Sequence, residues 1–98
     1  MEQRHATAAV IGAGDFIGAA IAKKFAAEGF AVFAGRRNGE KLASLVAAIE
    51  GAGGRVVARS LDARKEDDVT QFLRDADAHA PLEVCVFNIG ANVNFPIT

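Results

Sequence analysis

The chain has 98 residues, of which 51% are hydrophobic and 23% charged, and its formal net charge is −1. This length suits one small domain, and the composition lacks the clear basic excess that a nucleic-acid-binding surface would need, so we expect no nucleic-acid partner. No apolar run approaches the roughly 20 residues that span a bilayer, and the N-terminal apolar stretch is broken too early for a signal peptide. We therefore expect a cytoplasmic protein. Its single cysteine, Cys85, excludes an internal disulfide, and no residue cluster predicts a metal site.

The chain begins with a short apolar strand that leads through glycines into a helix. We predict the strand over residues 7–11, ending at Gly12, and the helix from Phe16. The apolar residues of this helix recur at every fourth position, at Ile17, Ile21 and Phe25. Gly29 follows them and predicts a left-handed cap at the C-terminal end of the helix.

Strands and helices continue to alternate along the chain. We predict further strands over residues 30–34, 55–60 and 83–87, with residues 35–39 closing the second strand. Residues 40–50 carry apolar side chains at helical spacing, and glycines at 51, 53 and 54 end that helix. We predict that a third helix begins near Lys65, because three acidic residues follow there and interact favourably with the positive N-terminal end of a helix dipole. Its apolar face comprises Val69, Phe72, Leu73 and Ala76.

The order of elements is β-α-β-α-β-α-β, with strands that are nearly continuously apolar. Such strands are typically buried on both faces, and parallel strands require helical crossovers. Right-handed crossovers then give an open sheet. The sequence therefore predicts an α/β fold, a Rossmann-type doubly wound parallel sheet with strand order 3-2-1-4. Cys85 alternates with valines in the fourth strand, so we predict a core residue rather than a nucleophile.

The first glycine-rich loop has the composition of a phosphate-binding turn. In an open parallel sheet, ligands bind where the strand order reverses, here between the first and fourth strands. Gly12 permits a sharp turn, Gly14 permits close backbone approach, and Gly18 permits close packing of helix on strand. The start of the helix then offers free N–H groups to a pyrophosphate. The alternative is a tight strand-to-helix turn that binds no ligand.

The loop after the second strand favours NADP over NAD. NAD sites usually hold an acidic residue here to bind the ribose 2′-hydroxyl, whereas arginine suits the 2′-phosphate of NADP. This chain has Gly35 at the acidic position, followed by Arg36 and Arg37. The alternative is a solvated basic turn.

Two more loops reach the crevice, and each leaves two interpretations open. Asp62 ends the third strand, where it either accepts a hydrogen bond from an adenine amino group or caps the following turn. Asn88 and Gly90 leave the fourth strand. Gly90 suggests that the backbone runs close to a ligand, and Asn88 suggests a hydrogen bond that ties adjacent strands together. The alternative is a simple glycine turn.

Taken together, the segments IGAGDFIG, GRR, LDA and NIGA resemble the N-terminal part of the short-chain dehydrogenase/reductase family, and the resemblance covers the whole chain. Gly12 and Gly18 match the first and last glycines of the family's T-G-x-x-x-G-x-G motif. Asp62 matches its adenine-contacting aspartate, and Asn88 and Gly90 match its N-N-A-G motif.

Three residues depart from the family's motifs. Ile11 replaces the initial threonine, Phe16 replaces the middle glycine, and Phe87 replaces the first asparagine of N-N-A-G. Phe16 has the largest consequence, because the middle glycine lies near the helix start that faces the cofactor. Its ring must either point away from the pyrophosphate or cover part of the cofactor.

The resemblance implies an oxidoreductase that transfers hydride between NADP(H), or less favourably NAD(H), and an alcohol or carbonyl substrate. We expect residues 1–98 to form part of an NAD(P)-binding Rossmann domain, as a fragment of a larger domain, and to form homo-oligomers. Because the fragment would expose an apolar edge strand and sheet face, we expect the isolated chain to be oligomeric, partly disordered, or the remnant of a longer protein. The implied cofactor-binding residues are Gly12, Gly14, Asp15, Phe16, Ile17, Gly18, Arg36, Arg37, Leu61, Asp62, Ala63, Asn88, Ile89 and Gly90.

None of the family's catalytic residues is assigned within this chain. The family uses a Ser, a Tyr and a Lys four residues after the Tyr, and this chain contains no Tyr. We therefore expect the 98 residues alone to be inactive. The alternative function is a nucleotide-binding or sensory module of the same fold without catalysis. An S-adenosylmethionine-dependent transferase needs an acidic residue after the second strand, and Gly35-Arg36-Arg37 argues against that class.

Overall fold

A computed structural model describes residues 4–12 and 16–88, which form a parallel four-stranded sheet with helices on both faces. The strands are β1 (Thr7–Ile11), β2 (Ala31–Arg36), β3 (Arg55–Ser60) and β4 (Leu82–Phe87). The helices are α1 (Phe16–Ala27), α2 (Ala43–Gly51) and α3 (Glu66–His79), and a 3₁₀ turn, Gly39–Leu42, precedes α2. The strand order is β3-β2-β1-β4, as predicted.

Alternate residues of the two central strands divide between two apolar layers. Every residue of β1 is buried, because β2 and β4 flank it and helices cover both faces. Val10 and Val32 pack with α1 and α2 on one face, whereas Ala9 and Phe33 pack with α3 on the other. Within the described residues, no helix is both long and apolar enough to cross a membrane.

The buried face of α1 is not the predicted apolar stripe. Ala22 and Ala26 are fully or almost fully buried against the sheet, whereas Ile17 is 63% exposed and Ile21 and Phe25 are half-buried. Small side chains let a helix approach a sheet closely, and the larger side chains then lie at the flank of the contact. The stripe instead lines an apolar groove of about 370 Å³ on the outer side of α1.

Gly29 caps α1 as predicted. Its φ of +96° lies in the left-handed region, its N–H donates to the Ala26 carbonyl, and the Phe30 N–H donates to the Phe25 carbonyl. The rings of Phe25 and Phe30 meet edge to face with 5.4 Å between centroids. This pair of hydrogen bonds with an apolar contact is a Schellman motif, which satisfies carbonyls at the helix end.

β2 is longer than predicted at its carboxyl end. The predicted strand ended at Ala34, but Gly35 pairs with Ile11 of β1, and Arg36 pairs with Ser60 of β3. The prediction took glycine as the start of the turn, whereas two neighbouring strands hold this glycine in the sheet. The start of the predicted second helix also differs, because Gly39–Leu42 adopts a 3₁₀ turn.

Burial on both faces holds for β1 and β2 but not for the outer strands. β4 alternates between half-buried and exposed residues, and Cys85 is exposed, so its predicted core position is wrong. The apolar cluster beneath α3 contains Ala9 of β1, the partner of Cys85, but does not extend to Cys85 within the described residues. An apolar sequence thus predicts that a segment forms a strand of the sheet, but it does not decide whether other elements cover both faces of that strand.

α3 offers a direct test of the second apolar layer. Phe72 is 2% exposed, and its ring centroid lies 5.9 Å from that of Phe33. We expect Phe72→Ala to lower the free energy of unfolding by about 3–5 kcal/mol, because it leaves a cavity under the helix. Thr70→Ala, an exposed position on the same helix, should change it by less than about 0.5 kcal/mol. Urea denaturation of both variants measures the difference, and equal effects would contradict this packing.

Candidate functional site

The carboxyl ends of β1 and β4 meet at Gly12 and Asn88. Gly12 has a φ of +89°, and its N–H donates to the Gly35 carbonyl at 2.7 Å. A Cβ at residue 12 would overlap the carbonyl oxygen of Asn88. The Asn88 N–H donates to the Ile11 carbonyl at 2.8 Å, and its side-chain amide donates to the Gly12 carbonyl at 3.4 Å. The predicted tie between adjacent strands is therefore present.

α1 begins at Phe16, four residues after Gly12, as the sequence predicts. Gly18 is buried in its first turn, and Ile17 is exposed. Gly14 and Asp15 lie outside the described residues, as does the side chain of Phe16, so the question of where its ring points stays open. The described part of the loop thus has a glycine with positive φ at residue 12 and a helix N-terminus at residue 16, and helix N-termini bind phosphate groups in proteins.

The end of β2 brings two arginines to the same edge of the sheet. Arg36 is half-buried at the last position of β2, and Arg37 is exposed in the turn that follows. A Cβ at Gly35 would overlap the side chain of Leu61 and lie 3.2 Å from the ring of Phe72. The position at which NAD sites hold an acidic residue therefore has no room for a side chain unless Leu61 moves.

Asp62 follows β3 and caps the turn after it. Its Oδ1 accepts hydrogen bonds from the Arg64 backbone N–H at 2.9 Å and from Arg64 Nε at 3.1 Å. Its Oδ2 accepts one from Arg64 Nη2 at 3.2 Å. The turn-capping interpretation of Asp62 is thus observed, and the adenine contact stays a prediction. Leu61 beside it is buried and Ala63 half-buried.

The electrostatic surroundings of Asp62 keep its carboxyl ionised. Side-chain and backbone hydrogen bonds from Arg64, followed by the charges of Arg64 and Arg37, lower the pKa of Asp62 from 3.8 to about 2. Arg64 was not among the predicted site residues. An aspartate two residues before an arginine is the signal that was available, because Asp often accepts from the backbone two residues on.

The predicted site residues that the structure describes lie together at the carboxyl ends of the strands. Gly12, Arg36, Leu61 and Asn88 follow or end the four strands at their carboxyl ends, and the Leu61 N–H donates to the Arg36 carbonyl at 2.9 Å. Ile89 and Gly90 lie outside the described residues. Cys85 is exposed, yet nearby atoms desolvate its thiol enough to raise its pKa, so the thiol stays protonated at neutral pH.

Comparison with known proteins agrees with this geometry. A family model described as short chain dehydrogenase matches residues 6–98. The crystal structure of a short-chain dehydrogenase from Rhodopseudomonas palustris is 82% identical, with a TM-score of 0.89 over 95% of this chain. A metagenomic short-chain oxidoreductase in complex with NADP is 31% identical, with a TM-score of 0.77 over 93% of this chain.

A third solved structure is an actinorhodin polyketide ketoreductase variant with NADPH, which is 27% identical with a TM-score of 0.81 over 90% of this chain. The chain spans 44%, 41% and 35% of the lengths of these three proteins, in the order given. The comparison with curated proteins gives no significant match.

The requirement for glycine at residue 12 can be tested by comparison with Gly51, a glycine at the end of α2. We expect Gly12→Ala to destabilise the protein by about 1–3 kcal/mol, because the residue has a positive φ and the new Cβ overlaps Asn88. No atom of the described residues lies within 4 Å of a Cβ placed on Gly51 at the end of α2, so Gly51→Ala should be neutral or stabilising by up to about 1 kcal/mol. Urea denaturation of the two variants checks the expected difference in sign.

The pairing of Asp62 with Arg64 predicts a specific pH dependence. Because the folded-state pKa lies below the ordinary value, the pairing adds stability above about pH 4 that is lost as the pH falls towards 2. Arg64→Gln should raise the pKa of Asp62 towards 3.8, measured by carboxyl ¹³C shifts during a pH titration. Arg74→Gln, an exposed change on α3, should leave it unaltered. A titration of Asp62 near pH 4 in the unmodified protein would contradict the pairing.

Proposed function

This chain belongs to the short-chain dehydrogenase family, and on that basis we propose that it forms the cofactor-binding part of an NADP-dependent oxidoreductase. The reaction we propose for the intact protein is hydride transfer between NADP(H) and an alcohol or carbonyl substrate. Relatives described with NADP and with NADPH support the choice of a nicotinamide dinucleotide.

The preference for NADP rests on the residues at the end of β2. Residue 35 lacks a side chain, and the space that one would occupy is filled by Leu61 and Phe72. An acidic group that would bind a ribose 2′-hydroxyl and repel a 2′-phosphate is therefore absent from this position. Arg36 and Arg37 follow directly and offer guanidinium donors, which suit phosphate oxygens in charge and geometry.

The other residues of the site fit the remaining parts of the same cofactor. Backbone N–H groups in the first turn of α1 suit the pyrophosphate. Asp62 is an ionised acceptor, and its Oδ2 accepts one hydrogen bond within the described residues, so a lone pair is left for the adenine amino group. We further propose that Asn88 to Gly90 line the crevice on the β4 side.

The nicotinamide, when bound, supplies or accepts the hydride, and the residues of this chain hold and orient the dinucleotide. The chain contains no Tyr to serve as the family's general acid or base. We therefore propose that the 98 residues on their own bind cofactor without catalysing its oxidation or reduction. Cofactor binding without hydride transfer in the intact protein would favour a nucleotide-binding module instead.

Arginine substitution tests the proposed cofactor. In the intact protein, Arg36→Ala with Arg37→Ala should weaken NADPH binding at least about tenfold and change NADH binding less than about twofold, because only NADPH carries the 2′-phosphate. Arg74→Ala, an exposed arginine on α3, is the matched control and should change neither affinity. Fluorescence titration measures both dissociation constants. Equal weakening for the two cofactors, or no weakening, would contradict the assignment of the arginines to the 2′-phosphate.

A further inference from the structure

The turn that carries Arg37 is hydrogen-bonded at both ends to the chain at the carboxyl end of β3. At one end, the Arg36 carbonyl accepts the Leu61 N–H at 2.9 Å. At the other end, the Gly39 N–H donates to the Ser60 hydroxyl oxygen at 2.8 Å. Ser60, the last residue of β3, and Leu61, the residue after it, thus hold the two ends of the four-residue segment 36–39, and Arg37 lies inside it.

Gly39 lies so close to β3 that the contact leaves no space for a side chain. A Cβ there would stand 2.5 Å from Ser60 Oγ, 3.0 Å from the Ser60 nitrogen and 3.2 Å from the Arg59 carbonyl carbon. The Ser60 hydroxyl is therefore held against the Gly39 backbone. Asn38 adds a local restraint, because its Oδ1 accepts the Glu40 N–H at 3.2 Å at the start of the 3₁₀ turn.

We propose that Ser60 is a positioning residue for NADP, and that its hydroxyl holds the turn so that Arg37 meets the 2′-phosphate. This inference rests on the proposed function of the arginines. Arg37 is exposed, so a phosphate contact must order both its long side chain and the backbone beneath it. A turn already fastened to β3 reduces the backbone part of that cost. Without the hydroxyl, the Gly39 N–H loses its partner and that end of the turn is released.

The effect of Ser60 should be confined to the cofactor that carries a 2′-phosphate. In the intact protein, Ser60→Ala should weaken NADPH binding roughly three- to tenfold, the usual consequence of losing one hydrogen bond, and leave NADH binding unchanged. Ser60→Thr keeps the hydroxyl and should restore the affinity for NADPH. Ser44→Ala makes the same substitution at an exposed position of α2 and should change neither affinity.

A double-variant comparison tests whether Ser60 acts through Arg37. In an Arg37→Ala background, Ser60→Ala should cause no further loss of NADPH affinity, because the group that it positions is gone. A full additional loss in that background, or equal weakening of NADPH and NADH by Ser60→Ala alone, would overturn the proposal. A different result would contradict the proposed function itself: an unsubstituted protein that binds NADPH no more tightly than NADH. That result would also remove the positioning role of Ser60.

Discussion

The contact between Gly12 and Asn88 is the constraint from which the candidate site is built. β1 and β4 end side by side, and the Asn88 carbonyl occupies the space of any side chain at residue 12. The Gly12 N–H reaches in the other direction, to the Gly35 carbonyl of β2. One residue therefore joins the ends of three neighbouring strands. The loops that we assign to a dinucleotide leave the sheet around this junction, so their relative placement depends on it.

Side-chain size determines how closely the helices pack on the two faces of the sheet. Ala22 and Ala26 bring α1 close to the sheet, where Ala34 of β2 belongs to the same cluster, and the bulky stripe of α1 is left at the flank. On the opposite face, α3 packs through Phe72 against Phe33, and Phe72 and Leu61 together fill the space beside Gly35. The packing of this layer therefore affects the candidate site, because a side chain at residue 35, at the end of β2, would require Leu61 to move.

Charge at the site is arranged locally and differs from the balance of the whole chain. The net charge is −1, yet Arg36, Arg37 and Arg64 gather near the ends of β2 and β3. Asp62 is held ionised among them through its hydrogen bonds with Arg64. A local concentration of guanidinium groups attracts an anionic ligand whatever the total charge, whereas a carboxylate such as that of Asp62 can accept a hydrogen bond from a neutral amino group.

The order of strands and helices, the parallel sheet, the glycine cap of α1 and the family follow from the sequence itself. Each depends on local periodicity, on glycine at a turn, or on motifs in a fixed order. Only the tertiary structure decided which face of α1 is buried, that Cys85 is exposed, and that β2 continues through Gly35 and Arg36. It also paired Ser60 with Gly39, which are 21 residues apart. These features depend on which side chains and strands meet across the fold, and such contacts leave no periodic signal along a single chain.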